Sequence, residues 1–227
     1  MAALSATDTV VVITGGDPVD RAHLTEVPAG APVIAADSGV DHARALGLAV
    51  DHVVGDLDSV SPEGLAAAID GGASVDRHPA AKDATDLELA LDAALARGPA
   101  RIHVLGGHGG RLDHFLGNVL LLARPQHADV TVTARMGDAR LTVVRGRAEL
   151  SGPGGDLVTL LPVHGAAVGV TTTGLLYPLH GEDLPIGTSR GVSNELVHDP
   201  ATVTLTAGVL VAVQPGLLGT HHQENPR

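Results

Sequence analysis

The apolar residues before Pro125 come in short runs that alternate with longer amphipathic stretches. The runs are rich in Val, Ile and Ala and end in turns containing Gly, Asp or Pro, which is typical of buried strands. They are Val10–Thr14, Pro32–Ala36, His52–Gly55, Ser74–His78 and Arg101–Leu105.

The stretches between these runs have the start and stop signals of helices. Ser61 before Pro62 supplies an N-cap and a favoured first residue. Thr85 and Glu88 fit a capping box, and the helix that follows is ended by Gly98. Two more helices are predicted at Asp41–Leu46 and Leu112–Ala123. Strands alternating with helices predict a doubly wound α/β domain with a mostly parallel sheet.

After Pro125 the chain has short strands and no convincing helix between them. The predicted strands are Val130–Thr133, Leu141–Val144, Leu157–Leu161, Ala167–Thr173, Thr202–Thr206 and Val209–Val213. Strands at this spacing predict an all-β sandwich. We therefore expect an α/β domain at residues 1–130, a β-sandwich at 131–220 and a polar tail at 221–227.

Composition and charge narrow the function. The 227 residues carry a net charge of −12, which disfavours nucleic acid as a partner. The absence of cysteine excludes disulfides, thiolate metal sites and thiol catalysis. The first residues lack the basic stretch of an export signal, and no apolar run is long enough to span a membrane. We expect a cytoplasmic protein.

Acidic loops follow the predicted strands. Asp56 and Asp58 are two residues apart, so in an extended chain their carboxylates point to the same side. Oxygen ligands of this kind suit Mg²⁺ better than zinc. Solvated turn carboxylates are the alternative reading of this pair.

Two further loops could bind an anion. Asp86 is the first residue of the predicted helix that follows Thr85. The N-terminus of a helix favours an anion such as phosphate, and Lys82 is a cation close to it in the sequence. The glycines of 106–110 let backbone N–H groups approach an anion closely. The planar guanidinium of Arg111 is suited to bonding two phosphate oxygens at once. Each loop also has a structural alternative. Asp86 could simply complement the dipole of its helix, and the glycines of 106–110 could form a flexible surface turn.

Read together, six blocks in register resemble the thiamine pyrophosphokinase (thiamine diphosphokinase) family. They are Ala36-Asp37-Ser38-Gly39, Gly55-Asp56-Leu57-Asp58-Ser59, Lys82-Asp83-Ala84-Thr85-Asp86, Gly109-Gly110-Arg111-Leu112-Asp113-His114, Thr173-Gly174-Leu175-Leu176-Tyr177-Pro178-Leu179 and Gly191-Val192-Ser193-Asn194-Glu195. The resemblance implies the same two domains and a homodimer with active sites between subunits. It also implies the reaction, in which the hydroxyethyl oxygen of thiamine attacks the β-phosphorus of MgATP and AMP is released.

The resemblance also implies roles for single residues. Asp56, Asp58 and Asp86 would hold Mg²⁺ against the triphosphate. The residues lining the nucleotide and its phosphates would be Asp37, Ser38, Gly39, Lys82, Thr85 and Arg111. Asp113 would either orient Arg111 or accept the alcohol proton. Ser193 and Asn194 would contact thiamine. The chain has no Trp, so Tyr177 and Phe115 are the only candidates for stacking.

Three other functions are weighed against this one. A related diphosphotransferase would keep the acidic loops and use another alcohol, such as a hydroxymethylpterin, but the block around Ser193 and Asn194 favours thiamine. A metallophosphoesterase is suggested by Gly55-Asp56, but we find no Asn-His or paired-histidine metal motif that accompanies it. A nucleotide sensor would bind MgATP and release no AMP.

Overall fold

The computed structural model describes residues 8–81 and 83–216. The chain divides into two compact units, with the boundary between Gly137 and Asp138. The sequence-based boundary at residue 130 therefore lies too early, because residues 131–136 form a strand that pairs in parallel with a strand of the first unit. The predicted tail at 221–227 lies outside the described residues.

The first unit is a parallel α/β sheet, as predicted. Its strands are β1 (Thr9–Thr14), β2 (Val33–Ala36), β3 (His52–Gly55), β4 (Ser74–Arg77), β5 (Arg101–Leu105) and β6 (Thr131–Met136). Its helices are α1 (Gly39–Leu46), α2 (Pro62–Asp70), α3 (Asp86–Leu95) and α4 (Leu112–Leu122), with short 3-10 segments at Arg21–Glu26 and Pro125–His127. The strand order is β6-β5-β1-β2-β3-β4, and every pair is parallel.

Apolar residues on both faces of the central strand hold the helices in place. Val11 and Ile13 of β1 belong to one buried cluster with Val40 and Leu46 of α1. Val12 lies between these two residues of β1, so its side chain points to the opposite face of the sheet. It is also fully buried. α3 packs against β1, β2 and β3. Helices after parallel strands bring the carboxyl ends of the strands to one edge, where ligands bind in such folds.

Both predicted helix starts are confirmed. The Ser61 hydroxyl accepts a hydrogen bond of 2.9 Å from the Gly64 N–H, and the Thr85 hydroxyl accepts one of 3.2 Å from the Glu88 N–H. Each bond satisfies an otherwise unpaired amide of the first turn. The second cap places Asp86 at the first position of α3, beside the carboxyl ends of the strands.

The second unit is a pair of antiparallel sheets. Its strands are β7 (Ala139–Val144), β8 (Arg147–Leu150), β9 (Leu157–Pro162), β10 (Ala167–Thr173), β11 (His180–Leu184), β12 (Asn194–Glu195), β13 (Ala201–Thr204) and β14 (Leu210–Gln214). One sheet has the order β12-β9-β14-β7 and the other β11-β10-β13-β8. Buried residues from both sheets, among them Leu160, Leu184 and Leu210, form one core. This confirms the predicted sandwich.

Three strands of this unit, β8, β11 and β12, were not predicted. They are short or rich in charged residues, so the alternation that identifies a strand is weak in them. Among the described residues no helix is long and apolar enough to cross a membrane.

Candidate active site

The acidic loops meet at the carboxyl edge of the parallel sheet. Asp37 follows β2, and its backbone N–H donates a 3.0 Å hydrogen bond to the carbonyl of Val54 in β3. Asp37 and Leu57 both have positive φ angles, of 46° and 64°. Residues other than glycine adopt this conformation rarely, and it is concentrated at turns and functional sites. These two turns bring the loops after β2 and β3 together.

Three carboxylates form the centre of the site. One oxygen each of Asp37, Asp56 and Asp58 lies within 4.8 Å of the others. Asp37 is 9% exposed, and its Oδ1 is buried with no hydrogen-bond partner among the described residues. Burial raises the pKa of this carboxyl, hydrogen bonds from Ser38 and Ser59 offset part of that rise, and the nearby charge of Asp86 adds to it. A buried carboxylate oxygen without a donor is an arrangement that a cation relieves.

Asp86 lies next to this cluster, on the far side of Gly55. A Cβ on residue 55 would come within 3.0 Å of Asp86 Oδ1 and 3.3 Å of Asp37 Cβ. Gly55 also has a positive φ of 147°. Glycine at this position therefore lets the carboxylate at the start of α3 approach the one after β2.

The donors fit magnesium. They are carboxylate oxygens on short loops, and Mg²⁺ takes one or two carboxylates together with phosphate oxygens and water. Local bonds position two of them: the Asp58 N–H lies 3.3 Å from Asp56 Oδ1, and the Ser59 hydroxyl donates to Asp58 Oδ1 at 2.7 Å. Sequence reasoning placed Asp37 with the nucleotide; the structure puts its carboxylate among the candidate metal ligands. Its buried oxygen and its turn conformation depend on neighbours that are distant in sequence.

The loop after β2 also contains Ser38 and Gly39. Ser38 precedes α1 and makes no side-chain cap. A Cβ on residue 39 would overlap the backbone carbonyl of Ile13 in β1. Gly39 is thus required by packing, and the contacts predicted for it and Ser38 with the nucleotide remain predictions. Lys82 lies outside the described residues.

The glycine-rich loop after β5 is fastened to the loop after β1. The Gly107 N–H donates to the Gly15 carbonyl at 2.8 Å, and the Asp17 N–H donates to the His108 carbonyl at 2.7 Å. The His108 ring meets the Phe115 ring edge to face, with centroids 5.5 Å apart. Phe115, one of the two aromatic candidates for thiamine, already has a partner in the first unit.

Arg111 and Asp113 form an exposed ion pair. Arg111 Nε and Nη2 donate to the two oxygens of Asp113, at 3.2 and 2.6 Å. Hydrogen bonding to the guanidinium lowers the pKa of the Asp113 carboxyl to about 2. At neutral pH Asp113 is therefore a carboxylate and a weak base, an arrangement that suits the orientation of Arg111 better than proton abstraction.

The candidates in the second unit lie on a loop and on the start of β12 with the residue before it. Asn194 is 6% exposed, and its amide bonds the backbone of Tyr177 on both sides. Ser193 is exposed and has a positive φ of 58°. Its backbone N–H donates a 3.1 Å hydrogen bond to the Thr159 hydroxyl. Tyr177 is 57% exposed. The structure brings Asn194 and Tyr177 together, although they are 17 positions apart along the chain and their contact could not be predicted from it.

Comparison with known proteins gives matches in both units. Residues 29–134 match the family model "Thiamin pyrophosphokinase, catalytic domain", and residues 147–210 match "Thiamin pyrophosphokinase, vitamin B1 binding domain". The chain is 29% identical over 190 residues to the thiamine pyrophosphokinase of Bacillus subtilis, covering 80% of this chain and 86% of the relative.

Solved structures agree with these matches. The crystal structure of thiamine pyrophosphokinase from Bacillus subtilis superposes with a TM-score of 0.81 at 25% identity, over 92% of this chain and 99% of that one. The thiamin pyrophosphokinase of Geobacillus thermodenitrificans gives 0.76 at 26% identity, over 91% and 96%. With a catalytic-domain match over the acidic loops and a second match over the β-sandwich, the chain belongs to the thiamin pyrophosphokinase family.

Proposed function

We propose that this protein transfers the diphosphate group of ATP to the hydroxyethyl group of thiamine, giving thiamine diphosphate and AMP. The observation that carries the proposal is the convergence of the Asp37, Asp56 and Asp58 carboxylates at the sheet edge within the matched catalytic domain. The alternative acceptor, a hydroxymethylpterin, is not supported by the matches.

Asp37, Asp56, Asp58 and Asp86 would hold Mg²⁺ here. When bound, the ion would neutralise charge on the phosphate oxygens of ATP. Four carboxylates at one edge repel a bare polyphosphate, so these residues make nucleotide binding depend on the cation.

The remaining residues of the site would position the phosphates. The first turn of α3, capped by Thr85, presents backbone N–H groups that favour an anion. Arg111 would contact phosphate oxygens through its fork while Asp113 fixes its orientation. We assign Lys82 to the same phosphates on its place in the sequence.

The transfer itself requires one bond to form and one to break. The hydroxyethyl oxygen of thiamine bonds to the β-phosphorus, and the bond from that phosphorus to the oxygen bridging it to the α-phosphorus breaks. The bridging oxygen leaves with AMP, and the alcohol proton passes to water. Catalysis of this kind rests mainly on positioning and charge neutralisation.

The acceptor would bind to the second unit. Tyr177, Ser193 and Asn194 lie within the matched vitamin B1 binding domain. The thiazolium ring of thiamine is cationic, and an exposed tyrosine ring can attract a cation through its face. The overall charge of −12 also favours a cationic substrate.

The proposal includes a cytoplasmic homodimer with active sites between subunits. Its support is an apolar stripe on α4, in which Leu112, Leu116 and Leu120 are 70%, 54% and 47% exposed. Their spacing of four residues places them on one face of the helix. Apolar patches of this kind on a soluble protein often mark an interface.

Mass spectrometry of the products tests the reaction. Purified protein is incubated with ATP, Mg²⁺ and thiamine, and each component is omitted in turn. We expect AMP and thiamine diphosphate only when all three are present. AMP formed with a pterin alcohol but not with thiamine would replace the acceptor, whereas MgATP binding without AMP would indicate a sensor.

Sedimentation velocity tests the dimer. Leu116→Glu should dissociate it, because a charge within an apolar interface leaves the protomers less stable together than apart. Ile69→Glu is the matched control, since Ile69 is an exposed apolar residue of α2 at 50% exposure. A wild-type monomer at micromolar concentration, or dissociation by both variants alike, would contradict this interface.

A further inference from the structure

The loop Gly174–Leu179 carries the protein's only tyrosine on a backbone that is bonded along its length. The Val197 N–H donates to the Gly174 carbonyl at 2.8 Å, and the Leu176 N–H to the Glu195 carbonyl at 2.9 Å. At its end, the Leu179 N–H donates to the Thr172 hydroxyl at 2.9 Å. The loop is therefore held against its neighbours on both sides of residue 177.

The side chain of Asn194 completes this arrangement at Tyr177 itself. Asn194 Oδ1 accepts the Tyr177 N–H at 2.9 Å, and Asn194 Nδ2 donates to the Tyr177 carbonyl at 2.7 Å. The same Oδ1 also accepts the Glu195 N–H at 2.9 Å. Both lone pairs of Oδ1 and one of the two amide hydrogens are thus used within the protein.

Exposure separates the two residues. Asn194 is 6% exposed, so little of its amide surface is accessible to a ligand. Tyr177 is 57% exposed although its N–H and C=O are both bonded. Leu176 and Val197, whose N–H groups bond this loop to its neighbour, are 44% and 43% exposed. The result is an open aromatic and apolar surface on an ordered backbone, which reduces the entropy lost on binding.

We infer that Asn194 is a positioning residue that acts through Tyr177, the residue whose ring is proposed above to contact the cationic ring of the acceptor. This inference rests on the proposed function, since it concerns the thiamine subsite of that reaction. It changes the role expected for Asn194 from a direct contact to a support, because its hydrogen bonds are made to the loop.

The composition supplies a direct probe. The chain has one Tyr and no Trp, so ultraviolet emission of the protein reports residue 177. Thiamine is titrated into the protein without ATP, and a saturable change in this emission gives its Kd. In Asn194→Ala we expect a roughly tenfold higher Kd for thiamine, about 1.4 kcal/mol, with the KM for ATP changed less than about twofold. The emission anisotropy of the free variant should fall, since the loop loses its support.

A double-mutant cycle separates support from contact. The affinity of Tyr177→Ala for thiamine is measured by calorimetry, alone and combined with Asn194→Ala. If Asn194 acts through Tyr177, the second substitution adds little to the first, because coupled residues are non-additive. Tyr177→Phe keeps the ring and should retain most of the affinity. Effects of the two alanine substitutions that multiply would show independent contacts and overturn the inference.

Gln214→Ala is the matched control for loss of a buried amide. Gln214 is also 6% exposed, and its Nε2 donates to the Ser151 carbonyl at 3.0 Å. It should lower the melting temperature without raising the Kd for thiamine. If Asn194→Ala does not fold, Asn194→Asp replaces it: this variant keeps the acceptor oxygen and loses the donor to Tyr177.

The outcome also separates this inference from the proposed function. Wild-type protein that forms no thiamine diphosphate and does not bind thiamine contradicts both. Wild-type protein that forms it, with an Asn194→Ala variant that binds thiamine as tightly as wild type, overturns only the role given to Asn194.

Discussion

The carboxylate cluster of the first unit and Asn194 of the second unit differ in whether their buried polar atoms are already hydrogen-bonded. In the first, Asp37 has a buried oxygen with no donor, and its pKa is raised because burial disfavours the charged form. In the second, Asn194 is equally buried but its amide is bonded to backbone groups. The first site therefore has a buried oxygen that a cation would pair, whereas the polar atoms of Asn194 are already paired within the protein.

The largest expected effect is at the centre of the first site. Asp56→Asn removes a charged ligand and should reduce kcat by about 10³-fold or more while the protein stays folded, in line with the loss of a key electrostatic group. Activity is measured across a Mg²⁺ titration, with a thermal melt to check folding. Asp70→Asn, which changes an exposed carboxylate at the end of α2, is the control. Full activity of Asp56→Asn would refute its role as a ligand.

Arg111→Lys should have a smaller effect. The substitution keeps the charge but loses the fork that bonds both Asp113 oxygens, and we expect kcat/KM for ATP to fall about tenfold. Arg147→Lys is a close control, because Arg147 also pairs with a carboxylate two residues further on, Glu149, at 3.2 Å on an exposed surface. Equal losses in both variants would show that the effect is not specific to the phosphate site.

The charge of Asp37 should be visible in the pH dependence of stability. Its folded-state pKa lies above the unfolded value, so the free energy of unfolding falls as pH rises from the unfolded pKa through the folded one. In EDTA, Asp37→Asn should remove this fall and be more stable than wild type at neutral pH, while losing activity. Chemical denaturation between pH 3 and 8 measures it. A variant less stable than wild type at neutral pH would contradict the destabilising effect of burying this charge.

The smallest expected effect compares two helix caps. Thr85→Ala and Ser61→Ala should each cost about 1 kcal/mol of unfolding free energy, since each removes a bond to a first-turn amide. Only Thr85→Ala should also weaken ATP binding, because α3 begins at the acidic site. Denaturant unfolding and the KM for ATP are measured on both. If Ser61→Ala raised the KM equally, general loosening would explain both effects.

Local patterns account for what the sequence could predict. Capping signals at Ser61 and Thr85 and the β-branched runs of β1 to β3 depend on neighbouring residues, and each was located from the sequence alone. β12 could not be located in this way, because it is two residues long and is defined by its pairing with β9.

The residues of the candidate site also differ in whether local sequence or distant contacts determine their positions. Residue types and strand order brought Asp56 and Asp58 to the correct edge, because carboxyl ends of parallel strands always meet there. The place of Asp37 in the carboxylate cluster depends on the turn after β2 and on burial by distant residues. The hydrogen bonds of Asn194 to Tyr177 join residues 17 positions apart along the chain, which no local pattern predicts.

Two glycines pack so closely against the end of β1 that neither position has room for a side chain. A Cβ on Gly39 would overlap the carbonyl of Ile13, and one on Gly106 would overlap the carbonyl of Thr14. Neither glycine needs to touch a substrate for its replacement to displace a catalytic loop. A saturation mutagenesis screen should therefore find these two positions as intolerant as Asp56 and Asp58, and evolutionary constraint at this sheet edge would reflect steric exclusion as much as chemistry.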